Sequence, residues 1–379
     1  MKTLASLLVS LVTAASAFAQ AAPPVSQIFD FSCNKSFSSC PQGFDPTLSP
    51  VQLSNGNFYG VTWWAGTGSS SNGGTVWKAT LAGKVTALHT FAANSAGKFS
   101  QGENPVMGFA VGADGNLYGT TESGGSASAG VFYKLTPSGT FTVLHNFCTV
   151  DNCADVPGPI ILGQDRNFYG VVRESTTIFK LTPKGVWSSI FTLPSGTLGG
   201  SLVQGSDGTF YGTGVETCDA GFVFSLTPGG IFTILHSFDI LNTVSGNIVL
   251  ASDGNIYGVM GSQVFQLTTA GGYTVIYELS QAQGPSPSFL TQASDGNLWG
   301  LSPNGGTAPD RPGTLFTLTT SGTFISSEEF NCSTTGCNPL GMVEGSDGNF
   351  YGNAATGGNA PGKNPEGTFF KVAAGLTAK

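Results

Sequence analysis

The stretch GSDGNFYG, residues 345–352, is followed 15 residues later by GTFFKV, and close variants of it stand six times upstream. They are NGNFYG (55–60), DGNLYG (114–119), DRNFYG (165–170), DGTFYG (207–212), DGNIYG (253–258) and DGNLWG (295–300). Their final glycines lie 59, 51, 42, 46, 42 and 52 residues apart, the spacing of supersecondary repeats. Each copy is preceded by a short apolar run such as Ser201-Leu202-Val203-Gln204. It is followed, past a loop of variable length, by VFYKLTP (131–137) and then TVLHNF (142–147) or their equivalents. Each unit therefore holds four short strands.

Asp-Gly or Asn-Gly between two apolar runs marks a tight hairpin, because the turn needs a positive φ that Gly, Asn and Asp tolerate best. Arg166 breaks that pattern in the third copy, so a looser turn is expected there. Phe-Tyr-Gly alternates large side chains to opposite faces of a strand buried on both sides, and its glycine would let a neighbouring sheet approach. Four-stranded sheets repeated radially make a β-propeller. The last unit lacks a fourth strand, and Gln27-Ile28-Phe29-Asp30-Phe31 resembles the fourth strands elsewhere. The expectation is an all-β, seven-bladed propeller of four-stranded antiparallel blades, with the N-terminal strand pairing against residues 367–372.

Only 9% of the 379 residues are charged and 55 are glycine. With net charge −8 and 14 scattered Lys and Arg, a nucleic-acid partner is not expected, since phosphate binding draws on concentrated positive charge. Lys2, the apolar run Leu4–Phe18 and Ala17-Phe18-Ala19 read as a signal peptide over 1–19, leaving 20–379 as one domain, secreted or periplasmic. No later segment is apolar enough to span a bilayer. A monomer is expected.

The repeat SDGNFYG…GTVFKLTP…LHSF resembles the Gloeobacter/Verrucomicrobia tandem repeat of exported bacterial proteins, over nearly the whole mature chain. The resemblance implies an exported propeller and carries no activity with it.

The three histidines, His89, His145 and His236, share one repeat position, the second of Leu-His-x-Phe. Equivalent positions on different blades do not converge, so they read as packing residues rather than bases or ligands. No zinc, P-loop or nucleophile-elbow pattern is present, and neither cofactor nor metal is expected. The Asp-Gly copies lack the ligand ladder of a calcium loop and read as turns. Cys33 with Cys40, Cys148 with Cys153 and Cys332 with Cys337 each follow an outer strand, which suggests three local disulfides; Cys218 is left over.

Function should sit where the repeat varies, in the loops between second and third strands. These hold Trp63 and Trp64 in blade one, Glu122 in blade two, Arg173 and Glu174 in blade three, Glu216 and Asp219 in blade four, Asp310 and Arg311 in blade six, and Lys363 and Glu366 in blade seven. Two readings stay open. One is a binding or scaffold protein whose tryptophan pair stacks on a glycan or meets a cell-surface protein. The other is a polysaccharide hydrolase or lyase using carboxylates such as Glu122 and Glu216.

Overall fold

The computed structural model describes residues 21–34, 40–64, 72–106, 108–148, 156–172, 176–193, 196–216, 220–240, 244, 246–359 and 364–377. The signal-peptide reading of 1–19 falls outside them. Seven antiparallel sheets, each with four strands in simple meander order, form the blades of a ring. Blades one to six span 44–92, 103–146, 157–192, 197–240, 249–278 and 289–329, and blade seven takes 337–372 together with Val25–Cys33. In blades one and two the innermost strand is split into two short pieces, Phe44–Pro46 with Val51–Gln52 and Glu103–Pro105 with Ala110–Val111.

Closure follows the expected register. Gln27 pairs with Phe370, Phe29 with Phe369 and Asp30 with Thr368, so the N-terminal strand is the outer strand of the last blade. Phe31 is fully buried, with its ring 5.5 Å from that of Trp77 in blade one.

Blade packs on blade through the repeated aromatics. The ring of Tyr118 lies 4.3 Å from Phe168 of the next blade, Tyr169 4.6 Å from Phe210, Trp299 4.8 Å from Phe350, and Tyr351 4.2 Å from Phe58 across the closure. Each such pair contributes about 0.5–1.5 kcal/mol beyond the area it buries. A second set of ties runs closer to the centre. Inner-strand side chains accept hydrogen bonds from the preceding blade's turn, Gln204 from Gln164 N–H, Gln292 from Ser252 N–H, Glu344 from Ser294 N–H and Gln52 from Ser346 N–H.

Two expectations need correcting. The repeat glycine does not make room for a neighbouring sheet. A Cβ on Gly60, Gly258 or Gly300 would lie 2.2, 2.4 or 2.1 Å from the ring of Trp77, Phe265 or Phe316, and one on Gly119 would lie 2.6 Å from the ring of Tyr133; each of these is that glycine's direct partner on the third strand of the same blade. The glycine is a seat for a cross-strand ring.

The Arg166 turn is no looser than the others. Arg166 N–H donates to Gly163 O at 2.9 Å, as Gly115 N–H does to Gly112 O, and Arg166 takes φ 62° where Gly115 has 73°. These are three-residue loops in which only the last residue needs a positive φ, not two-residue turns that need it twice. A non-glycine residue can therefore fill that position at a local cost.

Candidate functional site

The two ends of each blade carry different chemistry. At the turn end, the aspartate of the repeat caps its own loop: Asp114 Oδ1 accepts from Asn116 N–H at 3.2 Å, while Oδ2 accepts from Tyr118 Oη at 2.9 Å and Lys134 Nζ at 2.8 Å. Asp165 is held by Asn167, Tyr169 and Lys180, and Asp347 by Asn349, Tyr351 and Lys371. Partial burial works against ionisation of Asp114 and Asp165, but the bonds from lysine, asparagine and tyrosine together outweigh it and hold both carboxyls well below the usual range. These oxygens are committed to the fold, which agrees with the turn reading over calcium. Among the described residues, no group of three or more His, Cys, Asp and Glu could hold a metal ion.

The histidines pack. His89 lies flat on Phe141 with centroids 4.0 Å apart, His236 on Tyr273 at 4.3 Å, each partner standing on the next blade's outer strand, and His145 meets Phe147 edge-on. Burial lowers His89 to about 4 and lowers His145 and His236 as well.

The bridges Cys33–Cys40 and Cys332–Cys337 are formed, with Cα separations of 4.3 and 4.7 Å. Cys148 is also disulfide-bonded, while its expected partner Cys153, like Cys218, lies outside the described residues.

At the loop end, the richest described group stands where blades one and two meet. Trp63 and Trp64 end the second strand of blade one, with ring centroids 6.4 Å apart; Trp64 is 44% exposed. Asn104, on the innermost strand of blade two, donates to Trp63 O at 3.3 Å and accepts from Ser123 Oγ at 3.4 Å, and Ser123 also reaches Glu103 at 3.3 Å. Half-buried Glu122 immediately precedes Ser123.

Glu216 does not join this group. It belongs to blade four, where it accepts from Ser237 Oγ at 3.2 Å, so blade three separates it from Glu122. Arg311 stands in the blade-six loop at φ 45°, next to exposed Asp310. Arg173, Glu174, Asp219 and Lys363 lie outside the described residues.

Asp45, Asn104 and Asn338 lie outside the seven-fold repeat motif. Each precedes a proline yet takes a left-handed backbone, at φ 58°, 54° and 55°. That combination costs roughly 1–3 kcal/mol per residue and gathers at functional positions. The three occur on the consecutive blades seven, one and two, in GFDP (43–46), GENP (102–105) and GCNP (336–339), a second repeat that could have revealed them. Asp45 faces the charge of Glu366 on blade seven. Burial raises both carboxyls, and the Asp45 charge adds to the rise at Glu366.

Fold and repeat define a β-propeller assembled from one tandem unit. The chain belongs to the Gloeobacter/Verrucomicrobia repeat family, whose signature matches residues 24–213. No curated protein matches the sequence. Among solved structures, it is similar to a streptogramin B lyase, 16% identical with a TM-score of 0.59, covering 92% of this chain and 97% of that one. Virginiamycin B lyase from Staphylococcus aureus gives 16% and 0.59, covering 87% and 94%. A puromycin hydrolase gives 10% and 0.59, over 87% of this chain and 53% of that one. At these identities the likeness is one of fold. Disulfides in a bacterial repeat family fit an extracellular or periplasmic protein, and no helix among the described residues is long and apolar enough to cross a membrane.

Proposed function

We propose that the protein is an exported binding protein whose loop face takes a neutral glycan at the junction of blades one and two. The observation that carries this reading is the exposed Trp64 ring beside Trp63, with Asn104, Ser123 and Glu103 on the adjoining blade. An indole face buries the apolar face of a sugar, while amide, hydroxyl and carboxylate groups orient its hydroxyls. The acidic chain, with net charge −8, disfavours an anionic polymer. Catalysis by Glu122 with Glu216 has less support, because the two stand on blades that do not touch in sequence around the ring and Glu216 is tied to Ser237.

The test is a screen of the purified protein against neutral polysaccharides, with reducing-end and unsaturated products assayed in parallel. Binding without product, weakened about tenfold or more in Trp64→Ala at an unchanged melting temperature, is the expected result. Product release would replace the binding reading with the enzymatic one, and unaltered affinity in Trp64→Ala would move the site elsewhere.

A further inference from the structure

Blade six departs from the turn cassette of its neighbours in a way that leaves a specific chemical vacancy. In blades two, three and seven, a third-strand lysine brings its ammonium to the turn aspartate, at 2.8, 2.8 and 3.4 Å. The same ammonium lies over the repeat tyrosine, 5.8, 5.6 and 5.4 Å from the ring centroid. The register pairs Trp299 with Thr317, as it pairs Tyr118 with Lys134 and Tyr169 with Lys180. Blade six thus keeps the carboxylate as Asp295, replaces tyrosine by Trp299 and replaces lysine by Thr317.

The consequences show in the bonding. Asp295 accepts only from Asn297, through the backbone N–H at 3.0 Å and the side-chain amide at 2.8 Å. Trp299 and Thr317 are 4% and 2% exposed, and neither the indole Nε1–H nor the threonine hydroxyl has a hydrogen-bond partner. A buried hydroxyl left unpaired is destabilising, so the Thr317 oxygen favours a donor at this place; the indole N–H would need an acceptor from elsewhere on a ligand. Both residues line a cavity of about 350 Å³ on the turn face, together with Asp295, Asn297 and Ser326; segments 21–24 and 373–376 wall its side. Blades four and five lack the lysine too. There, Asp207 is occupied by the Thr209 backbone and hydroxyl, and Asp253 accepts from Tyr257 Oη, which itself accepts from Gln266 Nε2.

We propose that this cavity is a binding site for a small organic amine, whose alkylammonium group takes the position of the missing lysine ammonium between Asp295 and the Trp299 ring. Tryptophan is the strongest of the aromatic partners for a cation, and a carboxylate within reach adds a charge-assisted hydrogen bond. The unpaired Thr317 hydroxyl accepts from the same ammonium or donates to a polar group further along the ligand. The apolar wall formed by Pro23, Pro24 and Leu376 suits an alkyl chain.

The probe is n-butylammonium chloride, the lysine side chain without its backbone, titrated into the full-length mature protein at constant ionic strength and read by saturation-transfer NMR. Neutral 1-butanol serves as the control of equal size. Saturable binding of the ammonium is expected, with 1-butanol at least tenfold weaker. Asp295→Asn, which keeps the turn's acceptor oxygen, should weaken the ammonium at least tenfold. Thr317→Lys restores the lysine–aspartate pair of blades two, three and seven and should abolish binding while raising the melting temperature. If Thr317→Lys does not fold, the Asp295→Asn titration decides alone. Equal affinity for 1-butanol, no saturation by the ammonium, or unchanged affinity in either folded variant would overturn the assignment.

Discussion

Blade two holds the contrast of the whole molecule within one sheet. At its turn end, Asp114, Asn116, Tyr118 and Lys134 form a closed set of bonds that blades three and seven repeat residue for residue, and the aspartate is held well below its ordinary range. At its loop end, Asn104 strains its backbone to reach Trp63 and Ser123, in an arrangement tied to the particular neighbour it has. The first end answers a requirement every blade shares, which is to terminate a hairpin and seat a ring on the next blade. The second differs from blade to blade and is not required by the hairpin geometry the blades share. In this blade the polar groups of the turn end are paired with one another, while the strained backbone stands at the loop end.

The largest effect should separate the repeated framework from the loops. In Gly119→Ala, the new methyl would sit about where the Tyr133 ring and hydroxyl now lie, its Cβ meeting the hydroxyl oxygen at 2.5 Å, so ring or strand must shift. Overpacking of this kind costs about 1–3 kcal/mol. Ser126→Ala, in the loop of the same blade, exchanges an exposed side chain whose backbone N–H alone is bonded, to Asn146, and should stay within about 0.5 kcal/mol of neutral. Urea unfolding of the two variants measures the difference, and equal losses would erase the contrast between framework and loop.

Much of that framework was legible in the sequence, for a physical reason. Seven copies of one motif share one environment, so spacing alone counted the blades, and the unmatched third strand at 367–372 called for Gln27–Phe31 as its partner. The misreadings occurred where a repeated residue acts on something that is not repeated in sequence order. The glycine of Phe-Tyr-Gly serves a ring on the next strand at no fixed distance along the chain: Phe265 stands 7 residues after Gly258, and Trp77 17 residues after Gly60. The loop-end group was only half visible. Tryptophans and charges stand out as departures from the repeat, whereas Asp45 and Asn104 are common turn residues whose one signal in the sequence is the short Gly-x-Asp/Asn-Pro recurrence, and their left-handed φ angles appear only in the structure.

Acid should act more weakly than Gly119→Ala, and it distinguishes the two kinds of carboxyl. His89 titrates at about 4 in the folded ring against 6.5 when exposed, so it stays neutral while the unfolded chain gains a proton. Stability is then lost as pH falls from 6.5 to about 4, on the order of 1–2 kcal/mol once screening of the part-exposed ring is allowed for. His145 and His236, lowered in the same sense, add to the slope. Below the ordinary carboxyl value of 3.8, Asp114 and Asp165 continue the loss, because the unfolded chain takes up protons that the folded turns still refuse. Asp45 and Glu366, raised in the fold, pull the other way and soften the descent. Chemical denaturation across pH 3–7 should show stability rising with pH and flattening above 6.5. In His89→Phe, which keeps the stack on Phe141, the upper part of the rise should shrink, and an unchanged profile would remove His89 as its source.

The smallest expected effect tests whether the turn end is as uniform as it looks. Arg166 occupies a position where five of the other six copies have an Asp-Gly glycine and blade one has Gly56 after asparagine, and it pays for the place with φ 62°. Its loop bonds match theirs, Gly163 N–H to Asn167 O at 2.7 Å and Arg166 N–H to Gly163 O at 2.9 Å, so no hydrogen bond distinguishes the arginine copy. Replacing Arg166 by glycine removes the steric penalty of a side chain in the left-handed region, while glycine's greater freedom in the unfolded chain takes back part of that gain. The net expectation is a stabilisation of about 0.5 kcal/mol, seen as a small rise in denaturation midpoint at an unchanged slope. Asp165, bonded to Asn167, Tyr169 and Lys180, keeps every partner in the variant, so no compensating loss arises at the turn. A destabilised Arg166→Gly would mean that the arginine side chain makes up for its backbone through an interaction of its own, and blade three would then join blade six as a place where the turn face has been altered for a purpose.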